Sequence, residues 1–111
     1  MTVFQAPLNQ PEPVRVKPAN TSATTLVPAA AYKQAIGKIR VVNETAGAVT
    51  ANLDIYNGTT AFSLTGTVSI PAASSIELYD EILNVNELLR ITAGAGASLV
   101  AHVIFALAAQ R

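Results

Sequence analysis

His102 is the chain's one histidine, and there is no cysteine and no tryptophan. It is therefore the only imidazole available as a catalytic base or metal ligand. General acid–base and nucleophilic chemistry need titratable or nucleophilic groups gathered in one place. A metal centre needs several convergent ligands, and none stands in register with His102, which lies in the apolar run 99–109. On an apolar strand a single histidine reads as a neutral, hydrogen-bonded side chain. Because imidazoles change charge around neutral pH, a charge switch at a subunit seam is its alternative use.

The densest acidic patch is Asp80-Glu81, flanked by Glu77 and Glu87. It lacks the D-x-[DN]-x-[DN]-G order of a calcium loop, so a solvated turn or the N-terminal cap of a short helix is expected there. Two carboxylates can serve glycoside hydrolysis, but sugar-stacking aromatics reduce to Tyr32, Tyr56 and Tyr79. Gly94-Ala95-Gly96-Ala97 has the small residues of a phosphate loop. No Lys or Ser/Thr follows at the needed offset, and a strand stands where a helix N-terminus belongs; a tight hairpin turn fits better. The letters of Ser/His/Asp catalysis occur without a nucleophile elbow. The residues thus supply no catalytic, cofactor-binding or metal-ligating set, and a non-enzymatic protein is expected.

The elements that carry these residues are strands. From 36 to 106 the chain alternates in short apolar runs separated by turn residues. Ile39 and Val41 face one way in 36–43 while Lys38 and Arg40 face the other, the mark of a half-buried strand. Residues 44–47 read as a turn. Over 49–56, Val49, Ala51, Leu53 and Ile55 oppose Thr50, Asn52, Asp54 and Tyr56. Asn57-Gly58 then signals a two-residue hairpin, since both residues tolerate φ > 0, folding 59–64 back antiparallel. Val68-Ser69-Ile70 runs to Pro71, and Ile76 and Leu78 mark a further strand. Asn84 and Asn86 favour turns, so 80–89 is expected to be a connection with one short helical turn. Strands over 88–92 and 98–106 follow. Both faces of 98–106 are largely apolar, which fits the core of a sandwich or the seam of an oligomer.

Upstream, Thr21 to Val27 forms a β-branched strand ending at Pro28, and 29–34 could make one helical turn. Pro7, Pro11, Pro13 and Pro18 favour an extended arm over residues 1–20, within which Val14-Arg15-Val16-Lys17 alternates as an edge strand would. The expected division is an arm, 1–20, and a β-sandwich domain, 21–111. Seven or eight strands at this spacing make a single antiparallel β-sandwich, jelly-roll-like if they number eight.

Composition bounds what such a sandwich contacts. At 111 residues the chain is one domain, large enough to bury a core. Charged residues are 13% against a usual ~25%, so part of the surface is expected to be covered by protein, in a homo-oligomer. Seven basic and seven acidic residues are spread singly, without the basic footprint of a nucleic-acid binder. The N-terminus lacks a signal-peptide pattern, and the longest apolar stretch falls short of the ~20 residues of a membrane helix. Synthesis in a cytoplasm, with no membrane partner, is the expectation.

Three stretches carry a resemblance: Asn20-Thr21-Ser22-Ala23-Thr24-Thr25-Leu26-Val27-Pro28-Ala29, Ile39-Arg40-Val41-Val42-Asn43-Glu44-Thr45 and Val68-Ser69-Ile70-Pro71-Ala72. A Thr-rich strand ending in Val-Pro, a strand ending in an Asn-rich turn, and a strand ending in Ile-Pro resemble small bacteriophage virion proteins over residues 20–106. The resemblance implies a structural subunit of a tailed-phage particle, such as a head decoration, head-fibre, neck or tail component. Its implied partners are the capsid or neck, and no catalytic residues come with it. A receptor- or carbohydrate-binding sandwich on a fibre or tail is the alternative, and would need clustered surface aromatics.

Overall fold

A computed structural model describes residues 12–106. Nine strands lie among them: β1 (Val14–Val16), β2 (Thr24–Val27), β3 (Gln34–Asn43), β4 (Val49–Tyr56), β5 (Ala61–Ser63), β6 (Val68–Ile70), β7 (Ser75–Leu83), β8 (Leu88–Ala93) and β9 (Leu99–Phe105). The first sheet has the order β1-β9-β3-β7, and the second the order β2-β8-β4-β5, with β6 also on β4. Every pairing is antiparallel. β5 and β6 pair with opposite halves of β4, so together they form one interrupted edge. Eight strand positions in two packed antiparallel layers result, a β-sandwich as the spacing predicted.

The core lies between the sheets. Ile39, Val41, Ala101 and Val103 from the first meet Leu53, Leu89 and Ile91 from the second, all essentially without solvent contact. Alternation sets these faces, with one adjustment. Ile36 and Ile39 are three apart yet both buried, which strict period two forbids. The register of β3 against β9 shifts between Ile36 and Lys38, so a bulge at Gly37 returns Ile36 to the interior.

Of the stretch expected as an arm, residues 1–11 lie outside the described residues. Val14–Val16 pair with β9 as the anticipated edge strand, and Val14 and Val16 pack against the core. The sandwich therefore takes in β1, from within the stretch expected as an arm. No helix forms among the described residues, and none is long and apolar enough to cross a membrane.

Several local expectations are corrected. Residues 29–33 make no helical turn, because the Ala30 carbonyl accepts from Asn86 N and the Pro28 carbonyl from Gln34 Nε2. The loop after β4 holds four residues rather than two. Asn57 N donates to the Thr60 carbonyl, and Asn57 Oδ1 accepts from the backbone N–H of Thr59 and Thr60. That side-chain cap replaces a backbone turn, leaving only Gly58 of the pair at positive φ, +101°. β7 continues through Leu83, and the true connection is 84–87, where Glu87 N donates to the Asn84 carbonyl while Glu87 Oε1 accepts from Asn84 N. No helical turn forms there.

The glycine-rich turn joins strands of different sheets instead of closing a hairpin within one. A Cβ at Gly94 would collide with Thr50 Oγ1, and one at Gly96 would stand 2.5 Å from the Ala19 carbonyl oxygen. Finally, β9 is buried on one side only in the single chain. Leu99, Ala101, Val103 and Phe105 point inward; Val100 and His102 are half-buried and Ile104 exposed on the other face.

Candidate functional site

Antiparallel register brings the polar residues of three strands into rows on the outer face of the first sheet. Arg15 of β1 and Arg40 of β3 both lie opposite His102 of β9, and Arg40 lies opposite Glu77 of β7. The next row contains Ile104, Lys38 and Tyr79. Pro13, Arg15, Lys38, Arg40, His102 and Ile104 line one shallow groove. The lone histidine thus sits among three cations, not within an apolar layer. Among the described residues its ring has no hydrogen bond, so the expected partner is missing.

Glu77 is the acid in these rows. Its carboxylate accepts from the Tyr79 hydroxyl and pairs with Lys38 Nζ at 3.1 Å and Arg40 Nε at 3.8 Å. The tyrosine hydrogen bond foremost, then Lys38, hold its pKa below the usual carboxylate value, while the Tyr79 hydroxyl is pushed up by the same bond. Lys38 also lies 5.9 Å from the Tyr79 ring centroid.

The other acids anticipated with Glu77 do not join it. Asp80 and Glu81 follow along β7, Asp80 exposed and Glu81 half-buried, without an ion pair among the described residues. Glu87 caps its own turn. No group of three or more potential metal ligands exists among the described residues.

The outer face of the second sheet is organised differently. Asp54 of β4 and Arg90 of β8 lie directly opposite. Arg90 Nε donates to Asp54 Oδ1 at 2.9 Å and Nη2 to Oδ2 at 3.3 Å. The Tyr56 ring lies 4.0 Å from the guanidinium carbon. The two-pronged bond raises the Arg90 pKa above its ordinary value. This pair, which sequence reading missed, was visible only as two residues 36 positions apart.

Asn43 was also missed as more than a turn residue. Fully buried, its amide donates to the carbonyls of Gly47, Ile70 and Pro71, and its Oδ1 accepts from Thr45 N and Oγ1. It ties the β3–β4 turn to the end of β6.

No protein-family model matches the chain, and no curated protein matches it. Among solved structures, a GH26-CBM35 β-(1,4)-mannanase of Podospora anserina superposes with a TM-score of 0.52 at 14% identity, over 89% of this chain and 28% of that one. A pentameric capsid protein isolated from metagenomic phage sequences gives 0.42 at 16% identity, over 86% of this chain and 60% of that one. This chain therefore spans little more than a quarter of the mannanase chain and three fifths of the capsid chain. The mannanase likeness shows a shared fold and nothing further.

Proposed function

We propose that the protein is a non-enzymatic structural subunit of a tailed-phage virion, a decoration- or cement-type protein that binds the capsid or neck and copies of itself. The carrying observation is the outer face of the first sheet, where apolar and cationic side chains lie exposed together. Ile82 is 58%, Tyr79 57% and Ile104 40% exposed, beside the groove of Arg15, Lys38, Arg40 and His102. Monomers seldom leave large side chains clustered in water unless a partner covers them. Each square ångström of apolar surface buried contributes ~25 cal/mol, and repetition in a symmetric particle multiplies such contacts. The strand-ending pattern shared with small virion proteins supports the same reading.

The alternative, a carbohydrate- or receptor-binding module, has less to stand on. Tyr56 is stacked on Arg90 on one sheet and Tyr79 lies on the outer face of the other, so no two-tyrosine platform arises from them. Mass spectrometry of purified particles, with immunogold labelling, tests the proposal: stoichiometric copies on the head or neck are expected. Absence of the protein from intact particles would overturn it.

A further inference from the structure

We propose that copies of this chain associate head to tail, the groove of Arg15, Arg40 and Ile104 on one copy receiving the β7 edge of the next at Asp80, Glu81 and Ile82. The inference rests on the virion-subunit reading and specifies the self-contact within it.

The charges left over by internal pairing carry the argument. Lys17 pairs with Glu44, Lys38 with Glu77 and Arg90 with Asp54, each within 3.1 Å. Among the described residues, Arg15 and Lys33 are left without an acidic partner, Lys33 in the loop before β3 and Arg15 in the groove, and Arg40 has Glu77 only at 3.8 Å. On the acidic side, Asp80 and Glu81 are the adjacent pair without a cation, Asp80 exposed at its positive-φ kink and Glu81 half-buried on the inner margin opposite Ile36, so they meet a partner only along the strand edge; Glu12 stands alone beside groove residue Pro13. Groove and edge thus carry opposite charge. β1 and β7 are opposite edges of one four-stranded sheet, roughly 14 Å apart at a strand spacing of ~4.8 Å, so Arg15 and the edge acids of one copy do not meet. Contact between copies brings them together.

Apolar side chains match as well. Ile104 is exposed within the groove, and Ile82 is exposed next to Glu81. The edge cannot readily add a strand of another copy: Asp80 sits at φ +59°, and a residue in that conformation interrupts the flat ladder that edge-to-edge pairing uses. Side chains, not backbone, are left to make the contact. Because the groove runs from β1 across β9 to β3 while the acids lie on edge strand β7, the interface is heterologous, of the kind that closes into a ring or runs on as an open filament. Exposed charges fix the register of such a contact while apolar burial supplies affinity.

Charge reversal tests this on the full chain by sedimentation equilibrium up to about 1 mM protein, with circular dichroism to confirm folding. Wild type should associate, and less so in high salt. R15E/R40E and D80K/E81K should each weaken association at least about tenfold. Mixing the two variants should restore it to within about threefold, since each reversed surface then meets its complement. Association unchanged in both variants would overturn the groove–edge contact while leaving the virion reading intact, as would loss without rescue on mixing. A wild-type chain that stays monomeric throughout also overturns the contact; the particle assay in the preceding subsection decides the virion reading separately.

Discussion

The two outer faces of the sandwich are built on the same four-strand plan and treat charge in opposite ways. On the second sheet, Asp54, Arg90 and Tyr56 satisfy one another through a two-pronged ion pair and a stacked ring. On the first, Arg15, Lys38, Arg40 and His102 share a groove in which, among the described residues, Glu77 is the acid paired with the cations. An internally matched set stabilises its own sheet and presents little to a partner. A mismatched set contributes little to folding and leaves its charges for something else. The teaching is that charged residues on a strand acquire a role from cross-strand register, which decides whether their complement is within reach.

The largest expected effect lies where both sheets are joined. Asn43→Ala strands the buried carbonyls it now serves, and should cost about 2–4 kcal/mol in urea unfolding, since each unsatisfied buried group costs ~1–3 kcal/mol. It should weaken the fold without distinguishing the faces. A loss below about 1 kcal/mol would show that water replaces the amide and that the join is looser than the hydrogen bonds imply.

Asp54→Ala leaves the half-buried Arg90 side chain without its carboxylate and should cost about 1–3 kcal/mol, a figure reduced from that of a fully buried pair because that side chain keeps 22% of its surface. Arg15→Gln on the first sheet should stay within about 0.5 kcal/mol, as surface substitutions usually do. Equal effects at the two sites would break the comparison. On the edge of the second sheet, Gly58→Val should cost more than about 1 kcal/mol, because a β-branched residue is strained at its positive φ. An unchanged melting temperature would mean that the loop reorganises freely.

How much of this was legible follows from the range of each cause. Period-two alternation is local, so the strand 49–56 and the split of Ile39 and Val41 from Lys38 and Arg40 could be read directly. Asn57-Gly58 marked the right reversal, yet the loop length escaped because the Asn57 carboxamide caps two later amides, which lengthens the turn. The helical turn expected over 29–34 failed because the Ala30 carbonyl is taken by Asn86, 56 residues onward. The site was less legible still. Asp80-Glu81, Glu77 and Glu87 were grouped by nearness in sequence, whereas on a strand only every second residue shares a face. His102 lies in a locally apolar run, yet its cationic neighbours arrive from β1 and β3, and no local pattern announces strand order.

The smallest effect expected is also the one that best separates the faces by pH. The Glu77 carboxylate is held below its ordinary value of about 4.5 by the Tyr79 hydroxyl first and Lys38 second. A carboxylate whose folded pKa lies below the unfolded one stabilises the fold at pH above the unfolded value. That contribution fades as pH falls from about 4.5 through the lower folded value. The side chain is solvent-screened, so the stability difference between wild type and Glu77→Gln should be small at pH 7 and should vanish in acid. Unfolding midpoints of both proteins from pH 7 to pH 2 read it directly. Glu77→Gln should at the same time release Lys38 and Arg40, and tighten any contact the groove makes with an acidic surface. A difference that grows toward low pH would reverse the sign and show that Glu77 is held against its preferred charge state. The first sheet's face would then be strained by Glu77, not merely short of partners for its cations.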